Sequence, residues 1–256
     1  MPEKHARKLV DGVYRVAGAR GSNVYLVTSP FMCLVDAGFP IDLPPIRKAM
    51  LELGARPRDL EMVVATHYHG DHVGTVARLK RENGLRAAIH REDAAYATGE
   101  TPYERFRYRP SRFLFYYSLY PLFRYRNFEP DLLLEEGMVL PLLGGLEVLH
   151  TPGHSRGSVC LYAKGRGLLF TGDLVRNEKG VLEGPPPSFT PDPEKAAASL
   201  RRLAGLDFEI LLPGHGEPIT SGAGGLFRRH LEGGKLWPAG RRMEERLSRK
   251  AGPPRR

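Results

Sequence analysis

Thr66-His67-Tyr68-His69-Gly70-Asp71-His72 follows directly on the apolar run Met62-Val63-Val64-Ala65, and this junction decides how the chain is read. Three imidazoles and a carboxylate fall within six residues at the mouth of a strand. Such donors suit a first-row metal such as zinc, and one ion takes only three or four protein ligands. Histidine-rich runs also occur in solvent-facing loops, but here more donors follow in a matching context. His154 stands in Thr151-Pro152-Gly153-His154, Asp173 in Thr171-Gly172-Asp173 and His215 in Pro213-Gly214-His215-Gly216. Each comes after an apolar strand-like run and a glycine-bearing turn, where a ligand loop belongs. Five histidines and two aspartates are enough for two adjacent ions.

With these residues in view, the chain resembles the metallo-β-lactamase-fold hydrolase superfamily, in its glyoxalase-II-like and lactonase-like branch. The resemblance rests on the ordered set His-x-His-x-Asp-His, Gly-His, Gly-Asp and a second Gly-His, with Leu34-Val35-Asp36-Ala37-Gly38 upstream, and covers residues of about 10–220. It implies an α/β (α+β) fold, a four-layer αβ/βα sandwich with the metal site along one sheet edge. His67, His69 and His154 form one expected subsite, and Asp71, His72 and His215 the other. The resemblance makes Asp173 the carboxylate bridging both ions. Two divalent ions about 3.5–4 Å apart generate a hydroxide at neutral pH, so no serine or cysteine nucleophile is required. Zinc is the expected metal, with iron or manganese as alternatives. Asp71 and Asp173 are the expected catalytic carboxylates. Asp36, at the end of an apolar run, is read as orienting the histidine loop rather than as a ligand. Tyr68, between two ligands, faces either substrate or the packing beneath. His90 and His150 end strands and read as structural, and His5 and His230 as exposed.

The organisation reads as two similar halves. Short β-branched and aromatic runs at Gly12–Ala17, Ser22–Thr28 and Phe31–Ala37 suggest a strand meander. Pro44-Pro45, then Ile46, Met50, Leu51 and Leu53, closing at Gly54, predict a helix. A strand at Glu61–Ala65, a helix from His72 to Asn83 closed by Gly84, and a strand at Arg86–His90 follow. In the second half strands are expected at Met138–Leu142, Leu146–His150, Ser158–Ala163, Leu168–Thr171 and Ile210–Leu212. Helices are expected over about Pro193–Leu203, with Asp192 as N-cap, and about Ala223–Arg246. Residues 1–247 are thus expected to form one domain.

The net charge of +9 raises nucleic acid as a partner, so its location matters. Residues 101–130 hold six arginines against two glutamates, and 240–256 hold six arginines and Lys250 against two. The remaining 209 residues are formally neutral, which argues against a basic cleft and a nuclease. The segment 101–130 also carries eleven of the 23 aromatic residues, among them Phe115, Tyr116 and Tyr120. Its Arg112–Tyr120 core, flanked by Pro110 and Pro121, is apolar all round and demands a cover. Three readings stay open for the inserted helical segment 95–131: packing on its own domain, a lid lining a hydrophobic substrate pocket, or a homodimer or membrane-surface contact. Residues 248–256 read as a basic tail.

The expected function is hydrolysis of a carboxylic ester, thioester or lactone in a small-molecule substrate. A phosphodiesterase or nuclease of the same fold, or a mononuclear iron persulfide dioxygenase, is the alternative. Only 41 residues follow His215, short for the helical domain with which glyoxalase-II enzymes grip glutathione. Asp173 is followed by Leu174-Val175-Arg176-Asn177, without the tyrosine of the lactonases. Cys33 and Cys160 lie in apolar runs and read as reduced core residues. With no secretory signal and no run of ~20 apolar residues, the expected location is the cytoplasm.

Overall fold

Successive side chains of a strand point to opposite faces, so a strand buried on both faces must be apolar throughout. In the computed structural model, which describes residues 4–102 and 125–236, the central strands do this consistently. The first sheet runs in chain order as β1 (Ala6–Val10), β2 (Val13–Val16), β3 (Tyr25–Val27), β4 (Met32–Val35), β5 (Leu60–Val64), β6 (Arg86–His90) and β7 (Leu132–Leu134). β1 to β4 form an antiparallel meander, and β4 to β7 are parallel. Parallel neighbours need crossovers, which are supplied by α1 (Leu43–Glu52), by α2 (Gly70–Val73) with α3 (Val76–Asn83), and by α4 (Arg91–Thr98).

The second sheet contains β8 (Val139–Leu140), β9 (Leu146–His150), β10 (Val159–Ala163), β11 (Leu168–Glu178), β12 (Val181–Glu183) and β13 (Ile210–Gly216). Its order is β12-β11-β10-β9-β8, with β13 parallel to β11. α5 (Pro193–Leu203) and α6 (Ala223–Glu232) cover it.

Alternation sorts the side chains into layers. Tyr25, Val27, Cys33, Val35, Met62 and Val64 face Leu161, Phe170 and Leu212 between the sheets. The intervening Leu26, Leu34 and Val63 turn outward onto Ile46, Met50, Val76 and Leu79 of the helices. Across the sandwich, Cys160, Leu169 and Leu211 pack on Ala196, Leu200, Leu203 and Phe227. The result is four layers, helix, sheet, sheet, helix, as expected. Both cysteines are buried free thiols, Cys33 between the sheets and Cys160 beneath α5. Among the described residues no helix is long and apolar enough to cross a membrane.

Several local expectations need correction. The helix expected from His72 to Asn83 is split into α2 and α3 at Gly74-Thr75. There the Gly74 N–H donates to Gly38 O at 2.8 Å and the Thr75 hydroxyl to Ala37 O at 2.7 Å, and a Cβ on Gly74 would lie 2.4 Å from Gly38 O. The strand expected to end at Thr171 runs on to Glu178, and the one expected to end at Leu212 runs to Gly216. The last helix ends at Glu232, where Gly233 and the left-handed Gly234 (φ +65°) stop it. β1, β7, β12 and α4 were not expected. His230 is buried rather than exposed, its Nδ1 2.9 Å from Leu226 O one helical turn back. His5 is partly covered and bonds Glu52.

Candidate metal centre

One loop running into a helix, one turn and two strands bring the seven donors together. β5 ends at Val64, and the chain turns through His67 and His69 into α2, which carries Asp71 and His72. His154 stands in the turn from β9 to β10, Asp173 within β11 and His215 within β13. β11 and β13 are parallel neighbours, so Asp173 and His215 leave the same sheet edge. Gly172 (φ +48°) bends β11 before Asp173, and a Cβ there would meet Thr66 Oγ1 at 2.7 Å. Glycine is thus required for the two sheets to close on this point.

The donor atoms form two adjoining groups. His67 Nε2 and His154 Nε2 lie 3.0 and 2.9 Å from His69 Nδ1. His215 Nε2 lies 3.1 Å from Asp71 Oδ2, and His72 Nε2 3.7 Å from the same oxygen. Asp173 stands between them. Its Oδ2 is 3.3 Å from His154 Nε2, and its Oδ1 is 3.1 Å from His72 Nε2 and 3.3 Å from His215 Nε2. Each oxygen of Asp173 therefore faces one group.

This arrangement fits metal ions. Donors bonded to one ion at ~2.0–2.1 Å sit roughly 3–3.5 Å from one another, and the separations above, 2.9–3.7 Å, are close to that. His72 Nε2 and Asp173 Oδ1 are buried without a hydrogen-bond partner, a cost that an ion between them would remove. His67, His69 and His154 could hold one ion, and Asp71, His72 and His215 another, with Asp173 reaching both.

The two groups differ electrostatically. Burial pushes His67 well below the ordinary imidazole range, and it lowers His69 to about 3 and His154 to about 4. These rings are neutral at pH 7 and offer lone pairs. The Asp173 carboxylate raises His215 to about 10. Burial alone would lower His72, but Asp36, Asp173 and Asp71 outweigh it and raise His72 well above its usual value. Burial likewise opposes ionisation of Asp173 and Asp71, but His215 and His72 hold Asp173 far below the usual carboxylate range, and the same neighbours hold Asp71 at about 2. Protons on these two imidazoles thus neutralise the carboxylates where a cation would otherwise do so.

Asp36 bonds both to the start of the histidine loop and to His72. Its Oδ1 accepts from the Thr66 N–H at 2.8 Å, and its Oδ2 lies 2.8 Å from His72 Nδ1. With Nδ1 directed to Asp36, Nε2 is the His72 atom turned towards Asp173, the one left to bind an ion. Asp36 adopts a left-handed backbone (φ +58°), unusual for a non-glycine residue.

Two positioning groups lacked a sequence signal. Asn23 donates its side-chain amide to Pro213 O at 2.9 Å and Gly216 O at 2.8 Å, and its backbone N–H to Gly214 O at 2.7 Å, bracketing His215. Asp93 touches the loops of the three-histidine group. Tyr68, one of the expected pocket residues, is only 3% exposed and stacks on Tyr96 at 4.1 Å within the core over the first sheet. His90 and His150 stack on one another at 4.0 Å, a packing role. Phe115, Tyr116 and Tyr120, and the tail 248–256, lie outside the described residues. The open side of the centre is at Asp71 and His215, whose side chains are 23% and 29% exposed.

The chain is similar to known proteins. The probable metallo-hydrolase YflN of Bacillus subtilis is 32% identical over 218 residues, 78% of this chain and 82% of that one. The acyl-coenzyme A thioesterase MBLAC2 of Gallus gallus is 34% identical over 214 residues, 76% of this chain and 72% of its own. The crystal structure of TTHA1623 in a di-iron-bound form superposes with a TM-score of 0.62 at 31% identity, over 84% of this chain and 96% of that one. The family model described as the metallo-beta-lactamase superfamily matches residues 17–215, spanning every donor from His67 to His215, and the chain belongs to that superfamily of metallo-hydrolases.

Proposed function

We propose that the protein is a dinuclear metal-dependent hydrolase that cleaves a carboxylic ester, thioester or lactone. The observation that carries this reading is Asp173, one oxygen of which faces the three-histidine group and the other the Asp71, His72 and His215 group. A mononuclear enzyme has no need of the second group. Nitrogen-rich donors with two carboxylates suit zinc, and iron is the alternative, in keeping with the di-iron form of TTHA1623. Two such ions would supply Lewis acidity, bringing the pKa of water to near ~7 and polarising the carbonyl under attack.

The chain's own residues do the rest. His67, His69 and His154 are neutral and hold one position, while Asp36 and Asn23 keep His72 and His215 aimed at the other. Asp71 is the carboxylate nearest the open side, placed to take a proton from water as the attack begins. Thioesters of coenzyme A are the first substrates to test, because MBLAC2 acts as an acyl-coenzyme A thioesterase. Elemental analysis of protein purified without chelator, with assays on acyl-coenzyme A, ester, lactone and phosphodiester substrates, tests the reading. Two metals per chain with thioester or ester turnover, both lost in Asp173→Ala, are expected. One iron per chain with oxygen-dependent activity would overturn it.

A further inference from the structure

Asp93, on the first turn of α4, is fully buried and takes no part in the reaction outlined above. Among the described residues it has no ion-pair partner, a costly state for a carboxylate. Its hydrogen bonds are divided between two loops. Oδ2 accepts from the Tyr68 N–H at 3.1 Å and the Ser155 hydroxyl at 2.7 Å, and Oδ1 accepts from the Gly157 N–H at 2.7 Å. Tyr68 separates His67 from His69, and Ser155 follows His154. One carboxylate thus ties together the loops that carry all three histidines of one group. The loops come from different sheets, so this tie also crosses the sandwich.

Two further details support a built brace. A Cβ on residue 157 would lie 2.7 Å from both the backbone nitrogen and the carboxyl carbon of Asp93, so glycine permits the approach. Ser158 completes the turn, its Oγ accepting from the Ser155 N–H at 2.9 Å. The other group is held by separate residues. Asp36 meets His72, Ser22 donates to Asp71 O at 2.6 Å, and Asn23 brackets His215. No hydrogen bond of Asp93 reaches Asp71, His72 or His215.

We infer that Asp93 is a positioning residue for the His67, His69 and His154 subsite, setting its metal affinity independently of the Asp71, His72 and His215 subsite. This rests on the dinuclear reading. The asparagine variant keeps the size of Asp93 but presents an NH2 group to one of the loop donors, leaving that donor unpaired.

The test is competition of metal-free protein with a chromophoric chelator for Zn2+, in wild type, Asp93→Asn, and each combined with His154→Ala or His215→Ala. Wild type should take up two equivalents. Asp93→Asn should weaken one of them by about 10–100-fold and leave the other within roughly threefold. The effect should persist with His215→Ala and disappear with His154→Ala. If Asp93→Asn does not fold, Ser155→Ala in the same backgrounds should give a selective loss of about 3–10-fold, since it removes one of the three bonds. Equal weakening of both sites, or of neither, in whichever variant folds would overturn the inference while leaving the dinuclear reading intact. Fewer than two equivalents in wild type would overturn the dinuclear reading itself, and this inference with it.

Discussion

The Asp36 carboxylate and the His72 imidazole meet at 2.8 Å with both side chains out of contact with water, Asp36 closing β4 and His72 lying in α2. This pair converts a strand end into an orienting device, because the same carboxylate also holds the backbone of Thr66 at the start of the histidine loop. Asp36→Asn should therefore cost about 10–100-fold in affinity at the Asp71, His72 and His215 subsite. Metal retained after dialysis against graded chelator checks this, and unchanged retention would mean that His72 is aimed by packing alone.

Asn23 spans the gap between the halves in the same way. Asn23→Ala leaves Pro213 O and Gly216 O without their amide donor, at an expected cost of about 1–3 kcal/mol in stability. Urea unfolding of metal-free protein measures it. Pro213 O keeps its bond from the Tyr25 hydroxyl, so the damage should concentrate at Gly216 and His215.

His90 gives a pH dependence away from the metal centre. Burial, then His150 and Arg91, lower its pKa to about 4, with Glu136 acting in the opposite sense. Since ordinary histidine titrates near ~6.5, the unfolded chain binds the proton first as pH falls. The contribution is complete above that value and is lost as pH falls towards 4. Between pH 7.5 and 4.5 wild type should lose about 1–2 kcal/mol more than His90→Gln. Parallel stability curves for the two proteins would refute this.

Phe170 reports on the layer between the sheets. It is 1% exposed and packs edge-on against Tyr25 at 5.4 Å. Phe170→Ala should destabilise the fold by about 3–5 kcal/mol through lost burial and the cavity left behind. Denaturant midpoints should fall without a change in slope, and metal stoichiometry should stay at the wild-type value.

Much of this was legible because it is local. His67, His69, Asp71 and His72 lie within six residues, and the short, valine-bearing apolar run before them reads as a strand delivering them to an edge. Gly153, Gly172 and Gly214 marked the remaining donors, because backbone without a Cβ can approach closely, although Gly172 and Gly214 lie within strands and only Gly153 in a turn. β1 and β12 went unseen because exposed short strands lack the alternation that reveals a half-buried one. The break at Gly74 was likewise invisible, since it depends on a contact with Gly38, 36 residues earlier.

The sequence by itself marked most of the strands and helices, because their patterns act over a few residues, and its motifs carried the resemblance that pointed to the four layers and to seven candidate donors. Only the tertiary structure decided which groups hold those donors in place. Asn23 meets Gly216 across 193 residues, and Asp93 meets Gly157 across 64. Such pairs have no signature in the chain, since any polar residue ahead of a strand or on a helix's first turn looks the same until packing removes its water. Buried and dry, each must find a partner, and most of the partners that the closed sandwich supplies are backbone groups beside the candidate donors.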